Sequence, residues 1–322
     1  MPNSPLSLVS INGQLQSDLS VFDRGLQYGD GFFTTAKIEQ GLLLNWTAHW
    51  QRVQMSCQRL GFPQLDQRQL QLEILQLFAG LSVEQQQASW VLKLMVTRGE
   101  GGRGYLPPED PKIMRVAILS AMPALADEPM SSEVSSVLLE VAPATAGIKH
   151  LNRLSNVLAR QALSAGMLEA VMFNVFGNPV CGTQSNLYLV KQGKLLTSAL
   201  NLSGVAGTAQ ALIKNLASEV GLQWQQQTLS LSDLLGAEQL FFSNAIRGIQ
   251  CVSSLNLANV HNLASQFAKF NQTSINGNIE RFLDASLSHE LLTLRCEKAE
   301  DLRLLLKQQE QANAFSLIST QD

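Results

Sequence analysis

Paired cysteine is missing from this chain: its four, Cys57, Cys181, Cys251 and Cys296, lie far apart, at no spacing that a disulfide framework or a zinc site requires. A reducing compartment is expected, and no metal. A dominant charge is missing too. With 23 basic against 26 acidic residues, a formal net charge of −3 and no long run of either sign, there is no electrostatic footprint for nucleic acid or an anionic membrane. No apolar run reaches bilayer length, and the first residues lack a basic stretch followed by an apolar core. The expected compartment is the cytoplasm, and the expected partner is a small molecule.

What is present is enough apolar sequence, 45% of 322 residues, to bury a core and divide into two domains. Residues 7–16 and 32–45 read as strands, separated by a stretch at 23–31 with too many glycines for a regular element. A helix follows, with Thr47 as its cap, Trp50, Val53, Cys57 and Leu60 at helical spacing and Gly61 as its stop; His49, Arg52 and Arg59 form the neighbouring stripe. A second helix is expected over 66–78. Trp90, Leu92, Leu94 and Val96 alternate as one face of a strand, and another strand spans 112–120.

The prolines at 123 and 129 mark a linker over 122–132 between a small domain at 1–121 and a larger one at 133–275, with a helical extension or tail at 276–322. In the larger domain the pattern predicts strands at 134–142 and 170–176, helices at 152–165 and 206–220, the latter stopped by Gly221, and a hairpin turning at Gln192-Gly193. The class is α+β with largely antiparallel pairing.

Several residues have chemical potential in this pattern. Lys149 stands between a strand and a helix, where an apolar wall against its stem would favour a neutral, nucleophilic amine. The stretch Leu202-Ser203-Gly204-Val205-Ala206-Gly207-Thr208-Ala209 puts close glycines before a helix, an arrangement that offers backbone N–H groups to an anion. Arg52, beside the apolar stripe, either faces solvent or reaches inward, where a guanidinium can grip a phosphate by two bonds. Arg98 and Arg103 stand in a glycine-rich run, 97–105, suited to a substrate with carboxylates.

Together these stretches resemble the fold-type IV pyridoxal-phosphate enzymes, the group of branched-chain aminotransferases, D-amino acid aminotransferases and 4-amino-4-deoxychorismate lyases. The resemblance covers roughly residues 8–255. Three stretches are closest to the lyases: 21–35, 97–105 and Gly147-Ile148-Lys149-His150-Leu151-Asn152-Arg153. It implies a two-domain fold with pyridoxal 5'-phosphate held as a Schiff base on Lys149, which also moves protons. It further implies that Arg52 and the backbone of Thr208 and Ala209 bind the phosphate, that Asn244 and Ala245 line the cofactor pocket, that Tyr28 lines the substrate side, and that Arg98 or Arg103 takes a substrate carboxylate. A homodimer is implied as well.

Two positions depart from the family pattern. Relatives usually place a glutamate five residues before the asparagine of the motif that reads Asn186-Leu187-Tyr188 here, to keep the pyridine nitrogen protonated. This chain has Cys181, and a thiol is mostly neutral near pH 7. An uncharged partner makes the cofactor a weaker electron sink. Gln210 stands where relatives commonly have an arginine. The expected activity is the conversion of 4-amino-4-deoxychorismate to 4-aminobenzoate and pyruvate. The alternatives are a D- or branched-chain amino acid aminotransferase, or a catalytically impaired cofactor-binding relative.

Overall fold

A computed structural model of the chain describes residues 7–125, 128–260, 262–263, 266 and 291–318. The chain forms two compact units. Unit 1 is Met1–Leu125 with Ile148–Asn152 and Gln308–Asp322, and unit 2 is Ala126–Gly147 with Arg153–Lys307. The first cut falls in the proline-bearing stretch, whereas the return of 148–152 and 308–322 to unit 1 has no counterpart in a division read along the chain. Residues 267–290, which include the first part of the expected C-terminal extension, lie outside the described residues.

Among the described residues, unit 1 holds a seven-stranded sheet. Its strands are β1 (Ser7–Ile11), β2 (Gln14–Leu15), β3 (Gly31–Glu39), β4 (Leu42–Leu43), β5 (Trp90–Thr97), β6 (Met114–Ala121) and β16 (Phe315–Ser316), in the order β16-β4-β3-β5-β6-β1-β2. Each of the two long strands expected at the start is a hairpin instead. Asn12-Gly13 (φ 51° and 82°) and Gln40-Gly41 (φ 49° and 74°) are successive left-handed residues, and such pairs make two-residue turns whose twist matches the flanking strands. The alternation of Trp90, Leu92, Leu94 and Val96 puts all four in the core.

Helix α1 (Arg24–Tyr28) corrects the expected irregular stretch: Asp23 accepts the Leu26 N–H at its start, and Gly29, at φ 66°, ends it. Helix α2 (Trp46–Leu60) begins not at a Thr47 cap but after Asn45, a left-handed residue that makes no side-chain capping bond. Its first amides are satisfied from the far end of the sequence. The Asn45 N–H donates to the Glu310 carbonyl (3.2 Å) and the Trp46 N–H to the Asn313 carbonyl (3.0 Å). Just beyond, Phe315 and Ser316 pair with Leu43 and Leu42, the Leu317 N–H bonds the Gly41 carbonyl (2.8 Å), and the Leu317 side chain enters the core. Burying that leucine contributes about 2 kcal/mol. Helices α3 (Gln67–Ala79), capped by Asp66, and α4 (Val83–Gln86), with a Ser82/Gln85 capping box, complete the unit.

Unit 2 is built on β7 (Met130–Val134), β8 (Ala170–Phe173), β9 (Pro179–Cys181), β10 (Asn186–Lys191), β11 (Lys194–Ser198), β12 (Gln223–Gln227), β13 (Gln239–Asn244), β14 (Gly248–Asn256) and β15 (Leu291–Thr293). Since β9 pairs with both β8 and β10, the path β10-β13-β14-β7-β8-β9 closes on itself; β11 and β12 extend from β10, and β15 lies on β14. Pairing is antiparallel except for β11 with β12, β14 with β7 and β7 with β8. Alternation sends Leu187, Leu189, Leu240 and Phe242 to one core, and Tyr188, Val190, Phe241 and Cys251 to another.

The strand expected at 134–142 is displaced: β7 begins inside the expected linker and ends at Val134, and the strand at 170–176 stops at Phe173. The helix expected at 152–165 is α5 (Leu154–Gln161). The helix expected at 206–220 starts four residues late, as α6 (Gln210–Leu216) followed by a 3-10 turn that Gly221 ends at φ 73°. The residues before α6 have other bonds to make. Helices α7 (Leu231–Leu235) and α8 (Glu297–Ala312) follow. Among the described residues, no helix is long and apolar enough to cross a membrane.

Candidate active site

In unit 1 the segment carrying Lys149 lies along the start of β3. The Phe33 N–H bonds the Lys149 carbonyl (2.9 Å), His150 bridges Phe32, and the Leu151 N–H bonds the Gly31 carbonyl (3.1 Å). This approach needs glycine at 31, where a Cβ would stand 2.4 Å from the Val96 carbonyl oxygen and 2.7 Å from the Leu151 side chain. Tethered on both sides, Lys149 projects its Nζ to 4.6 Å from the centroid of the Phe33 ring.

The floor beside it comes from the buried face of α2, which carries His49, Arg52 and Ser56 as well as Val53 and Cys57. Arg52 Nη1 donates to Thr34 Oγ1 (3.3 Å), and Thr34 Oγ1 is 2.7 Å from His49 Nδ1. The direction of that bond follows the His49 tautomer: Oγ1 donates to Nδ1 when the ring proton is on Nε2, and accepts from it otherwise. Burial, reinforced by the positive charges of Arg52 and Lys149, pushes His49 down to about 3, so its imidazole is neutral. Burial also lowers the Arg52 guanidinium to about 10, still a cation at neutral pH. The arrangement is a desolvated cation and a lysine amine over a neutral relay. This donor set fits a phosphate at Arg52 and an aldehyde at Lys149.

The glycine-rich strip of unit 1 is bound by a two-arginine bridge. The Asp30 carboxylate takes Arg24 Nε (2.8 Å) and Arg98 Nε (2.9 Å). Arg24 then reaches the carbonyls of Gly104 and Tyr105, at 3.1 and 2.8 Å. Arg98 donates to those of Gly61 (3.0 Å) and Leu60 (2.8 Å) and lies over the Phe62 ring, 4.1 Å from its centroid. All three Arg98 nitrogens are engaged here, holding the end of α2 against Asp30. Arg103 is exposed. Tyr28, half-buried, meets Tyr105 edge-on at 5.5 Å, and Tyr105 is itself 84% exposed.

In unit 2, Cys181 is the buried last residue of β9, paired with Met172 and Asn186. The turn after it folds around the Glu169 carboxylate, which accepts the Thr183 N–H and hydroxyl and the Ser185 hydroxyl (2.6 Å). Asn156, in the first turn of α5, donates to the Thr183 carbonyl (2.8 Å). One turn earlier, Arg153 lies within electrostatic reach of Cys181; burial lowers its pKa and Cys181 acts in the opposite direction.

The loop before α6 is held by backbone bonds to Gly147, two residues before Lys149. The Gly147 N–H donates to the Gly204 carbonyl and the Ala206 N–H to the Gly147 carbonyl, each at 3.0 Å. Asn186 Nδ2 donates to the Val205 carbonyl (2.7 Å), and a Cβ on Gly207 would stand 2.0 Å from Asn186 Oδ1. Thr208 and Ala209 are buried behind this loop. Asn244 Oδ1 accepts the backbone N–H groups of Ile246 (3.0 Å) and Arg247 (2.8 Å), which shapes the turn at Ala245. Sequence reasoning assigned no role to Thr34 or Arg153. The one signal for Arg153 was its place in the 147–153 stretch.

Comparison with known proteins agrees with this geometry. Residues 31–255 match the family model for amino-transferase class IV. The chain is 32% identical to an aminodeoxychorismate lyase of Vibrio harveyi over 250 residues, 76% of this chain and 90% of that protein. A putative branched-chain-amino-acid aminotransferase of Methanocaldococcus jannaschii is 31% identical over 242 residues, covering 73% and 83%. The crystal structure of 4-amino-4-deoxychorismate lyase from Pseudomonas aeruginosa aligns with a TM-score of 0.71 and 33% identity, over 83% of this chain and all of that one. The family's cofactor is pyridoxal 5'-phosphate, which the donor set around Lys149 and Arg52 fits. This chain belongs to the class IV aminotransferase family of pyridoxal-phosphate-dependent enzymes.

Proposed function

We propose that this enzyme is a lyase that converts 4-amino-4-deoxychorismate to 4-aminobenzoate and pyruvate, a step toward a folate precursor. The observation that carries the chemistry is Lys149 Nζ set over the Phe33 ring beside the buried Arg52. The likeness to two lyases, at 32% and 33% identity, favours this reaction within the family. In this reading Arg52 and the backbone of Thr208 and Ala209 hold the phosphate, while Cys181, Asn244 and Ala245 line the cofactor. When bound, pyridoxal 5'-phosphate supplies an aldehyde for the substrate amine and a ring that accepts electron density. Lys149 takes the proton from the carbon bearing the substrate nitrogen and returns one to the departing enolpyruvyl group, which leaves as pyruvate. Arg103 takes a substrate carboxylate and Tyr28 borders the substrate. The neutral His49 and Thr34 keep the Arg52 guanidinium aimed. The active form is a cytoplasmic homodimer.

Aminotransfer is the second reading, favoured by the 31% identity to the M. jannaschii protein. Cys181 weighs against it. A thiol holds a pyridinium less firmly than a carboxylate does, and transamination depends more on that electron sink than a reaction driven by aromatisation.

The test is to give the purified protein pyridoxal 5'-phosphate and aminodeoxychorismate, following pyruvate and 4-aminobenzoate against amino-group transfer to 2-oxoglutarate. The two products in equal amounts support the lyase, and Lys149→Ala abolishes them. Transfer without pyruvate supports the rival. A visible absorption band with no turnover, restored by Cys181→Glu, marks an impaired relative.

A further inference from the structure

Two of the four cysteines, well separated in sequence, meet in unit 2. Cys251 on β14 points into the core that holds Phe241, Leu302 and Leu306, and Cys296, just before α8, packs against that same core. Each thiol lies within electrostatic reach of the other. Cys296 Sγ is also 3.8 Å from the carbonyl oxygen of Val252, the neighbour of Cys251. The approach is fixed by backbone pairing: β15 runs antiparallel to β14 through Ser254↔Thr293 and Leu255↔Leu292, and the Leu294 N–H then bonds the Ser253 carbonyl at 2.9 Å.

We propose that Cys251 and Cys296 are a thiol–disulfide pair, oxidised reversibly by a low-molecular-weight disulfide such as glutathione disulfide, with Cys296 reacting first. Cys296 is half-buried and Cys251 buried, so only Cys296 offers an entry point. Burial raises Cys296, and the neighbouring Cys251 thiol partly offsets that rise. That thiolate attacks one sulfur of glutathione disulfide; the S–S bond breaks, a mixed disulfide forms at Cys296, and one glutathione leaves as thiolate. Cys251 then attacks the Cys296 sulfur and expels the second glutathione. Two protein thiols are oxidised, one glutathione disulfide is reduced, and the two thiol protons end on the two released glutathiones.

The surroundings favour the protonated thiols. Burial, with Glu300, pushes Cys251 up to about 12, and burial, Glu300 and Glu297 raise Cys296. Cys57 is also buried and pushed up to about 11. It has no thiol partner among the described residues, so it serves as the internal control.

The experiment treats the cofactor-loaded full-length protein with glutathione disulfide, blocks the remaining thiols after denaturation and maps the peptides. The expected result is a 251–296 cross-linked peptide, a fall from four free thiols to two, and a Tm raised by about 5 °C that dithiothreitol reverses. Cys251→Ser should trap the glutathione adduct on Cys296, and Cys296→Ser should yield neither adduct nor cross-link. Absence of the cross-linked peptide in the oxidised wild type overturns the proposal, as does a mixed disulfide at Cys296 that persists there with Cys251 intact.

Discussion

Replacing His49 with asparagine should change how the protein responds to acid. His49 falls from 6.5 to about 3 because it is buried beside two cations, so the folded protein keeps it neutral while the unfolded chain protonates it. For a histidine whose folded pKa is depressed, the stability is fully present above the unfolded pKa and is lost as pH falls from there toward the folded one. Between pH 8 and pH 5 this one residue then costs about 2 kcal/mol, and by pH 3 the loss approaches about 5 kcal/mol. Asparagine cannot titrate, yet its amide can meet the Thr34 hydroxyl where Nδ1 does. The assay is urea denaturation of wild type and His49→Asn at pH 8, 6 and 5 in phosphate-free buffer, since an anion at Arg52 would offset the charge. The wild type's advantage at pH 8 should shrink by about 2 kcal/mol at pH 5, other titrating groups cancelling between the two proteins. An advantage that stays constant to within about 0.5 kcal/mol would refute a buried, neutral His49.

Asp30→Asn removes the carboxylate shared by two nearly buried arginines and should cost about 3 kcal/mol by chemical denaturation; a loss under about 1 kcal/mol would mean that the bridge is solvated. Cys181→Glu places a carboxylate near Arg153 and should raise transfer to 2-oxoglutarate about tenfold relative to pyruvate release, measured side by side. Leu317→Asp puts a charge into the core of unit 1 and should lower stability by about 3 kcal/mol, read from the urea midpoint.

What was legible in the sequence was local. The alternation in β5, the helix start near residue 66 and the turn at Gln192-Gly193 each depend on a few adjacent residues, and the structure keeps them. The hairpins at 12–13 and 40–41 were missed although Asn-Gly and Gln-Gly stood in view, because the apolar run on either side was read as continuous. Features set by distant partners were not legible. Arg98 looked available because its acceptors are the backbone carbonyls of Leu60 and Gly61, atoms that every residue has and that only the fold selects. Lys149 was identified through the resemblance, but its neighbours Thr34 and His49 are ordinary polar residues until β3 and α2 bring them together.

Because residues 315 and 316 complete the sheet edge at 42 and 43, and the carbonyls of 310 and 313 receive the amides of 45 and 46, the first unit to be synthesised is the last to be finished. On the ribosome its opening hairpins wait with an unsatisfied helix start until residues 310–317 have been made. A chain cut short after Ala312 would therefore fail at its beginning, in the helix that carries Arg52.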